Sequence, residues 1–470
     1  MVRSVRVASA VAAVGFALAG CSMTPPLEKP KVAPPSAWTE PLAPAEVAAA
    51  APSAEWWRRF HQPRLDILMA QAMAGNFDLG AAMARLRQAD AQTLIAGAPL
   101  LPSLDAGGNV TRANQPILFP GLHIPRYVDT TQSGLLTASY EVDFWGKNAA
   151  ALAAARATAA ASRYDREVVA LTVQASVADT YFDFLALSDR LRVARDNLRA
   201  AEDILSALRD RERLGTSTSL DVSQQESVVA TARAALPPLE QSLRQDANAM
   251  AVLTARLPEA FVAPKSSLAD VTIPAVAPGL PSALLERRPD VREAEARLVA
   301  ANANIGEARA AVLPSLQLTG QYGLESMALS SFFGPGGTLM SLAAGVTQPI
   351  FRGGALEGGI QLTQAQMDEM VQDYRKAVVS AFADVETALV ATHRTDEEER
   401  AQAAAVETAR RAYQLSRDQL AGGMVDITVV LNTERTLFQT EDALVQARNA
   451  HAQAVVGLYR ALGGGWKDGT

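Results

Sequence analysis

The chain has 470 residues, of which 49% are hydrophobic, 6% aromatic and 20% charged, with a net charge of −7. That hydrophobic content excludes a disordered chain, and with no basic patch or acidic tail, no nucleic acid is expected as a partner. A mature chain of about 450 residues has room for two or three ordinary domains, but alanine-rich, aromatic-poor composition argues against ordinary ones.

Residues 1–20 read as a secretory signal. Arg3 and Arg6 precede a short apolar run, Val7–Leu18, too short to span a bilayer as a helix. Leu18-Ala19-Gly20-Cys21 resembles the bacterial lipoprotein processing box, in which the cysteine is acylated and becomes the first residue. Cys21 is the sole cysteine, so no disulfide can form within one chain. Ser22 follows it, where an aspartate would resemble an inner-membrane retention signal, so the expected address is the outer membrane. Residues 21–54 carry Pro25, Pro26, Pro30, Pro34, Pro35, Pro41, Pro44 and Pro52 and read as an extended, lipidated tether with no core of its own.

From Glu55 the pattern changes. Trp56, Trp57 and Phe60 lead into a short helical segment, and a helix over 79–98 is stopped by Pro99 and Pro102. Strand-like sequence follows around 103–112 and 133–144. In the second, Leu136, Ala138, Tyr140, Val142 and Phe144 are apolar, while Thr137, Ser139, Glu141 and Asp143 are polar, a period of two. Residues 147–214 contain no proline and read as one helix of about 100 Å at 1.5 Å per residue. Gly215 ends it with a left-handed cap, which reverses the chain into a helix over 220–236. Pro237 and Pro238 break that helix, at the expected start of a collar around the middle of the tube.

The second half repeats the first. Asp78, Arg85, Leu86, Ala89, Ala91, Leu101-Pro102-Ser103-Leu104 and Gly108 recur as Asp290, Arg297, Leu298, Ala301, Ala303, Leu313-Pro314-Ser315-Leu316 and Gly320, each 212 residues later. Solenoid repeats run about 20–50 residues, so this spacing means two similar halves, taken as 55–270 and 271–470. Strands are expected around 315–323 and 340–350, a long helix over 356–420, and partner helices over 291–311 and 428–462. Gly423 marks a second hairpin tip, 208 residues after Gly215, and Glu226 matches Glu434 at the same offset. Both tips are expected far from the strands.

On periodicity alone, a soluble antiparallel sheet with one wet face and a set of transmembrane strands stand equal. In a membrane, four strands cannot close a barrel, which needs about eight or more, and an open edge cannot sit in lipid. Several chains must then share one barrel. Three copies supply twelve strands, continued by a tube of long helices.

The stretch Gly279-Leu280-Pro281-Ser282-Ala283-Leu284-Leu285-Glu286-Arg287-Arg288-Pro289-Asp290, with Val291 to Leu298 after it, resembles the signature of the outer-membrane efflux lipoproteins. So do Ala300 to Gly306, Leu313 to Leu316, Gln348-Pro349-Ile350-Phe351 with Gly353-Gly354, the ending Ala461 to Trp466, and the opening Trp57 to Leu65. The resemblance runs through the whole mature chain, to the resistance–nodulation–division type, the OprM/NodT-like branch of the TolC-like outer membrane factor family. It implies an α+β membrane protein, a homotrimer with a shared twelve-stranded transmembrane β-barrel, four strands per protomer, continued by a long periplasmic α-helical barrel. It also implies a Gram-negative outer membrane and its lipid, anchorage at Cys21, a periplasmic adaptor protein and an inner-membrane resistance–nodulation–division pump. The activity implied is that of a passive exit duct, with no catalysis and no cofactor.

In such a family the periplasmic end is gated at the hairpin tips. The resemblance puts Asp221 at an acidic gate position after the first tip and Arg435 at its basic partner after the second. Asp221 after a loop also suits a helix N-cap. Asn432 stands where an aspartate is usual, Val425 replaces another with Asp426 beside it, and Leu420 replaces a common aromatic. The gate set is therefore Asp221, Arg435, Asn432 and Asp426, with the tips at Gly215 and Gly423. His61, His123, His393 and His451 show no metal-ligand spacing. Glu397-Glu398-Glu399 reads as a solvated helix face, and Phe332 to Gly337 as an extracellular loop. No phosphate loop or nucleophile elbow is present. Metal-ion efflux or protein secretion on the same fold, and a structural coiled-coil lipoprotein, are the alternatives.

Overall fold

The structure, a computed structural model, describes residues 22–40, 53–115, 118–119, 122–123, 127–334, 336–464 and 466. Cys21, the expected acylation position, lies outside the described residues. The labelled elements are α1 (Pro63–Gly75), α2 (Phe77–Gly97), β1 (Ser103–Gln115), β2 (Tyr127–Val142), α3 (Lys147–Arg213), α4 (Ser219–Ala234), α5 (Leu236–Leu253), α6 (Pro289–Ala310), β3 (Ser315–Ser326), β4 (Thr338–Thr347), α7 (Ala355–Ala421) and α8 (Ile427–Ala461). The chain divides into two units. One comprises residues 1–31, 85–163 and 293–375, and the other the rest.

The first unit holds an antiparallel sheet in the order β1-β2-β3-β4. Its strands are longer than the alternation alone suggests, because β1 and β2 stay paired from Ser103↔Ser139 out to Gln115↔Tyr127. At Gly323 an added Cβ would run into the backbone of Gly134 and Leu135 on β2, so only glycine allows this close approach. The Phe332 ring lies over Gly134 and covers the bare backbone there. Residues 22–31 are no free spacer. The Asn302 side chain donates to the Pro25 carbonyl at 2.9 Å, Lys29 pairs with Glu295, and Thr24 fills the notch left by Gly306, where any Cβ would collide.

The second unit is built on an aromatic core. Trp56, Trp57 and Phe60 are buried with Leu65, Leu68 and Met69 of α1, Tyr181, Phe182 and Leu185 of α3, and Val455, Val456 and Tyr459 of α8. Trp56 stacks on Tyr459 with ring centroids 4.9 Å apart. The tether reaches this unit too: Trp38 donates to the Gly279 carbonyl at 2.8 Å and packs on Phe382. These contacts correct the expectation of a tether without packing, since its tryptophan is buried.

α3 and α7 are each 67 residues long. Both end in the same cap. Gly215 (φ +77°) and Gly423 (φ +70°) take the left-handed conformation. Thr216 N donates to the Arg211 carbonyl, and Met424 N to the Gln419 carbonyl, at 2.9 and 2.8 Å. This is the six-to-one bond of a Schellman turn. Pro237 and Pro238 do not open a loop. One residue, Ala235, separates α4 from α5, and the prolines occupy the first turn of α5, where no N–H is needed. No helix among the described residues is long and apolar enough to cross a membrane.

The Glu397–Glu399 run is not uniformly solvated. Glu397 pairs with Arg394 on the surface. Glu399 accepts from Arg448 Nε and meets His451 Nδ1, both at 2.8 Å, and these hydrogen bonds, His451 first, hold its carboxyl below the usual range against the opposing effect of burial. Two residues, about half a helical turn, separate a wet face from a partly buried one, which a run of three like residues cannot reveal.

Candidate functional site

Through the middle of the sheet one face is mainly apolar and the other mainly polar. The registers place Leu104, Ala106, Leu136, Ala138, Tyr140, Leu318, Tyr322, Met340, Leu342, Ala344 and Val346 together on one side. The opposite side carries Ser103, Asp105, Asn109, Ser133, Thr137, Ser139, Gln317, Thr319, Gln321 and Ser341. The apolar side is open: Leu342 is 80% exposed, Met340 71% and Val110 70%. A soluble monomer rarely leaves so large an apolar surface uncovered, whereas a transmembrane strand alternates lipid-facing apolar with inward polar residues. Among the described residues β1 pairs only with β2, and β4 only with β3, so both sheet edges are unpaired there.

The tips lie in the second unit. Under them Ala201, Leu205 and Leu208 of α3 pack with Val222 and Val229 of α4 and Ile427 and Val430 of α8. Thr218 caps α4 and Asp221 completes a reciprocal capping box. Asp221 N donates to Thr218 Oγ1 at 3.2 Å, and Thr218 N to Asp221 Oδ2 at 2.9 Å. The Thr218 backbone bond, then the Thr218 side-chain bond, hold the Asp221 carboxyl below its usual pKa. Asp426 caps α8, its Oδ1 accepting from Thr428 N at 3.1 Å. Asn432 and Arg435 are exposed on α8. Among the described residues no ion pair joins Arg435 to Asp221. Each tip therefore holds its acidic residue in its own helix cap, Asp221 in the first and Asp426 in the second.

The sequence reading missed three residues here: Tyr413 and Arg417 on α7, and the burial of Glu434 on α8. The signal was available, because 208 residues separate Arg209 from Arg417 and Glu226 from Glu434. It also missed the role of Arg288 in the signature stretch. That guanidinium donates to both Asp290 oxygens, at 2.9 and 2.6 Å, and to Asp384 Oδ2 at 2.9 Å. It also donates to the Ala461 carbonyl at 3.2 Å. It ties the start of α6 to α7 and to the end of α8. No group of metal-binding geometry occurs among the described residues.

The model of the outer membrane efflux protein family matches residues 68–256 and 280–464. The chain belongs to the outer membrane efflux protein family. It is 39% identical to the pyoverdine export outer membrane protein OpmQ of Pseudomonas putida, over 97% of this chain and 96% of that one. To the probable efflux pump outer membrane protein TtgC of the same species it is 31% identical, over 98% and 96%. The MtrE outer membrane channel of Neisseria gonorrhoeae, solved in its open state, superposes with a TM-score of 0.85 at 30% identity, covering 95% of this chain and 99% of that one. The fold is that of these channels, α+β with tandem repeats, and the sheet faces decide between the two readings of the strands in favour of the membrane. The protein is an outer-membrane channel of an efflux system, and its relatives are channels rather than enzymes. Channels of this family work in tripartite pumps with an adaptor and an inner-membrane pump.

Proposed function

We propose that the protein acts as a homotrimeric, passive exit duct, anchored by lipid on Cys21, for a resistance–nodulation–division pump and its periplasmic adaptor. The observation that carries this reading is the four-stranded sheet with one open apolar face and two unpaired edges. Each unpaired backbone group in hydrocarbon costs several kcal/mol, and joining β1 of one copy to β4 of the next in a ring of three removes every edge. The result is one twelve-stranded barrel, continued by the long helices into the periplasm. The proposed halves remain 55–270 and 271–470, after the signal at 1–20 and the tether at 21–54.

The cargo proposed is a pyoverdine-class secreted metabolite. The higher identity to the pyoverdine exporter, 39% against 31% for the general efflux relative, supports it. Deleting the gene and assaying culture medium and periplasm by mass spectrometry tests it. The metabolite is expected to leave the medium and accumulate in the periplasm, while susceptibility to antibiotics, dyes, detergents and metals changes little. The reverse pattern would assign a drug or metal duct instead.

The gate is assigned to Asp221, Asn432, Arg435 and Asp426 near the tips at Gly215 and Gly423. Asp221→Ala is expected to raise ionic conductance in planar bilayers. Thr218→Ala weakens the same helix cap but keeps the carboxylate, and is expected to leave conductance unchanged. Equal effects of the two would reduce Asp221 to a capping residue.

A further inference from the structure

The two hairpins carry the same pair of charges in two different arrangements. In the first, Arg209 donates to Glu226 at 2.6 Å on the surface. In the second, Glu434 is 2% exposed and its Oε1 has no hydrogen-bond partner. Its repeat partner Arg417 lies over the Tyr413 ring instead, 5.7 Å from the centroid. The residue equivalent to Tyr413, 208 positions earlier, is Leu205, which offers an arginine no π-face. The helix faces differ to match. α4 buries Val222, Gln225, Val229 and Ala232, whereas α8 buries Ile427, Val430, Glu434 and Leu437. In α8 numbering the α4 stripe would run through Thr433 rather than Glu434. A roll of less than one residue about the helix axis exchanges the two.

We propose that Arg417, Tyr413 and Glu434 form a latch in the second hairpin, with Arg417 shared between two partners. In the state observed, Arg417 sits on Tyr413 and Glu434 fills the seam between Val430 and Leu437. In the alternative state α8 rolls, Glu434 leaves the seam to pair with Arg417 as Glu226 pairs with Arg209, and the smaller Thr433 takes its place. In this latch the second state is the more conductive one.

Burial raises the Glu434 carboxyl to about 7, against the attraction of Arg417. Arg417 and Tyr413 face it from α7, and Asp203 of α3 acts on Tyr413. The folded state thus binds this proton more tightly than an unfolded chain does. The stability of the seam is full in acid, declines as pH rises above the ordinary carboxylate range, and is lost by about 7. Protonation is therefore the trigger that holds Glu434 in place.

The latch rests on the channel reading but not on Asp221 or Arg435. Conductance of the full-length protein in planar bilayers, recorded at pH 6 and pH 8, tests it. With a midpoint near 7 the ionised fraction rises roughly tenfold across that interval, and the conductive population is expected to rise with it. Glu434→Gln keeps the shape of the side chain without its charge, and is expected to stay at the low level at both pH values. Tyr413→Leu restores the residue of the first hairpin and frees Arg417 to draw Glu434 out at lower pH, so it is expected to raise the level at pH 6 and shrink the step. Asp179 and Asp246 are also raised by burial, to about 7 and about 6, so the loss of the step in Glu434→Gln is what assigns it. A parent that conducts equally at both pH values overturns the latch while leaving the duct intact. A Glu434→Gln or Tyr413→Leu variant that keeps the full step overturns it as well.

Discussion

Leu342→Arg is expected to abolish assembly in the outer membrane. Leu342 sits in the middle of β4 on the open apolar face, opposite Gly320 of β3. A lipid-facing arginine at mid-membrane costs about 2–4 kcal/mol per copy, and in a trimer every copy carries it. The measurement is the trimer band on a mild-detergent gel of isolated outer membranes, with degradation of the monomer expected in its place. Ser341→Arg is the control. It lies one residue away on the polar face, where its side chain meets water, and the trimer is expected to survive. If both substitutions are tolerated, or both fatal, the two faces have not been assigned correctly.

The second large effect is expected at Arg288. Removing it leaves Asp290, Asp384 and the Ala461 carbonyl without the donor they share. Breaking a buried pair costs about 3–5 kcal/mol. Asp384 is half exposed, so the lower figure applies, about 3 kcal/mol. Trp56 and Trp57 lie in the core of the same unit and report its melting by fluorescence. A drop in Tm of about 5 °C is expected for Arg288→Ala. Arg288→Lys keeps the charge but loses the planar fork that grips both oxygens of Asp290, so it should recover only part of the loss. An unchanged Tm for Arg288→Ala would show that these bonds contribute nothing net.

The first repeat shows how differently one position can be used. The residue 212 positions before Arg288 is Asn76. Its Oδ1 accepts from Asp78 N and Leu79 N at 2.9 and 3.1 Å and caps α2. The short amide serves two helix ends, since its Nδ2 also donates to the Leu253 carbonyl at the end of α5 at 3.0 Å, whereas the long guanidinium joins three helices. Both solutions start a helix after a turn, and the duplicated sequence preserves the helix while the cap diverges.

Much of the architecture is legible in the amino-acid sequence, and for local reasons. The strands show themselves by a period of two, the long helices by the absence of proline, and the tips by glycines that take φ values L-residues avoid. The repeat offsets set these elements in matching order, and the open edges follow from counting strands. Each of these signals depends on neighbours in sequence, which is why the sequence by itself determined the duplicated strand-and-hairpin plan; sharing of one barrel between copies follows only once the strands are placed in a membrane.

Tertiary structure decided which residue of a matched pair goes inside. Glu226 and Glu434 are the same residue at equivalent positions, yet one is a surface ion pair and the other is buried without a partner on one oxygen. Glu399 and Glu398 are neighbours, yet only Glu399 meets His451. Residues 22–40 look like spacer, yet Thr24 and Trp38 are seated in specific contacts. In each case the outcome turns on a rotation of a helix or on a partner far away in the sequence, from about 50 to more than 200 residues. Periodicity fixes which stripe of a helix is apolar to within about one residue, and burial of a single side chain is decided inside that margin by packing.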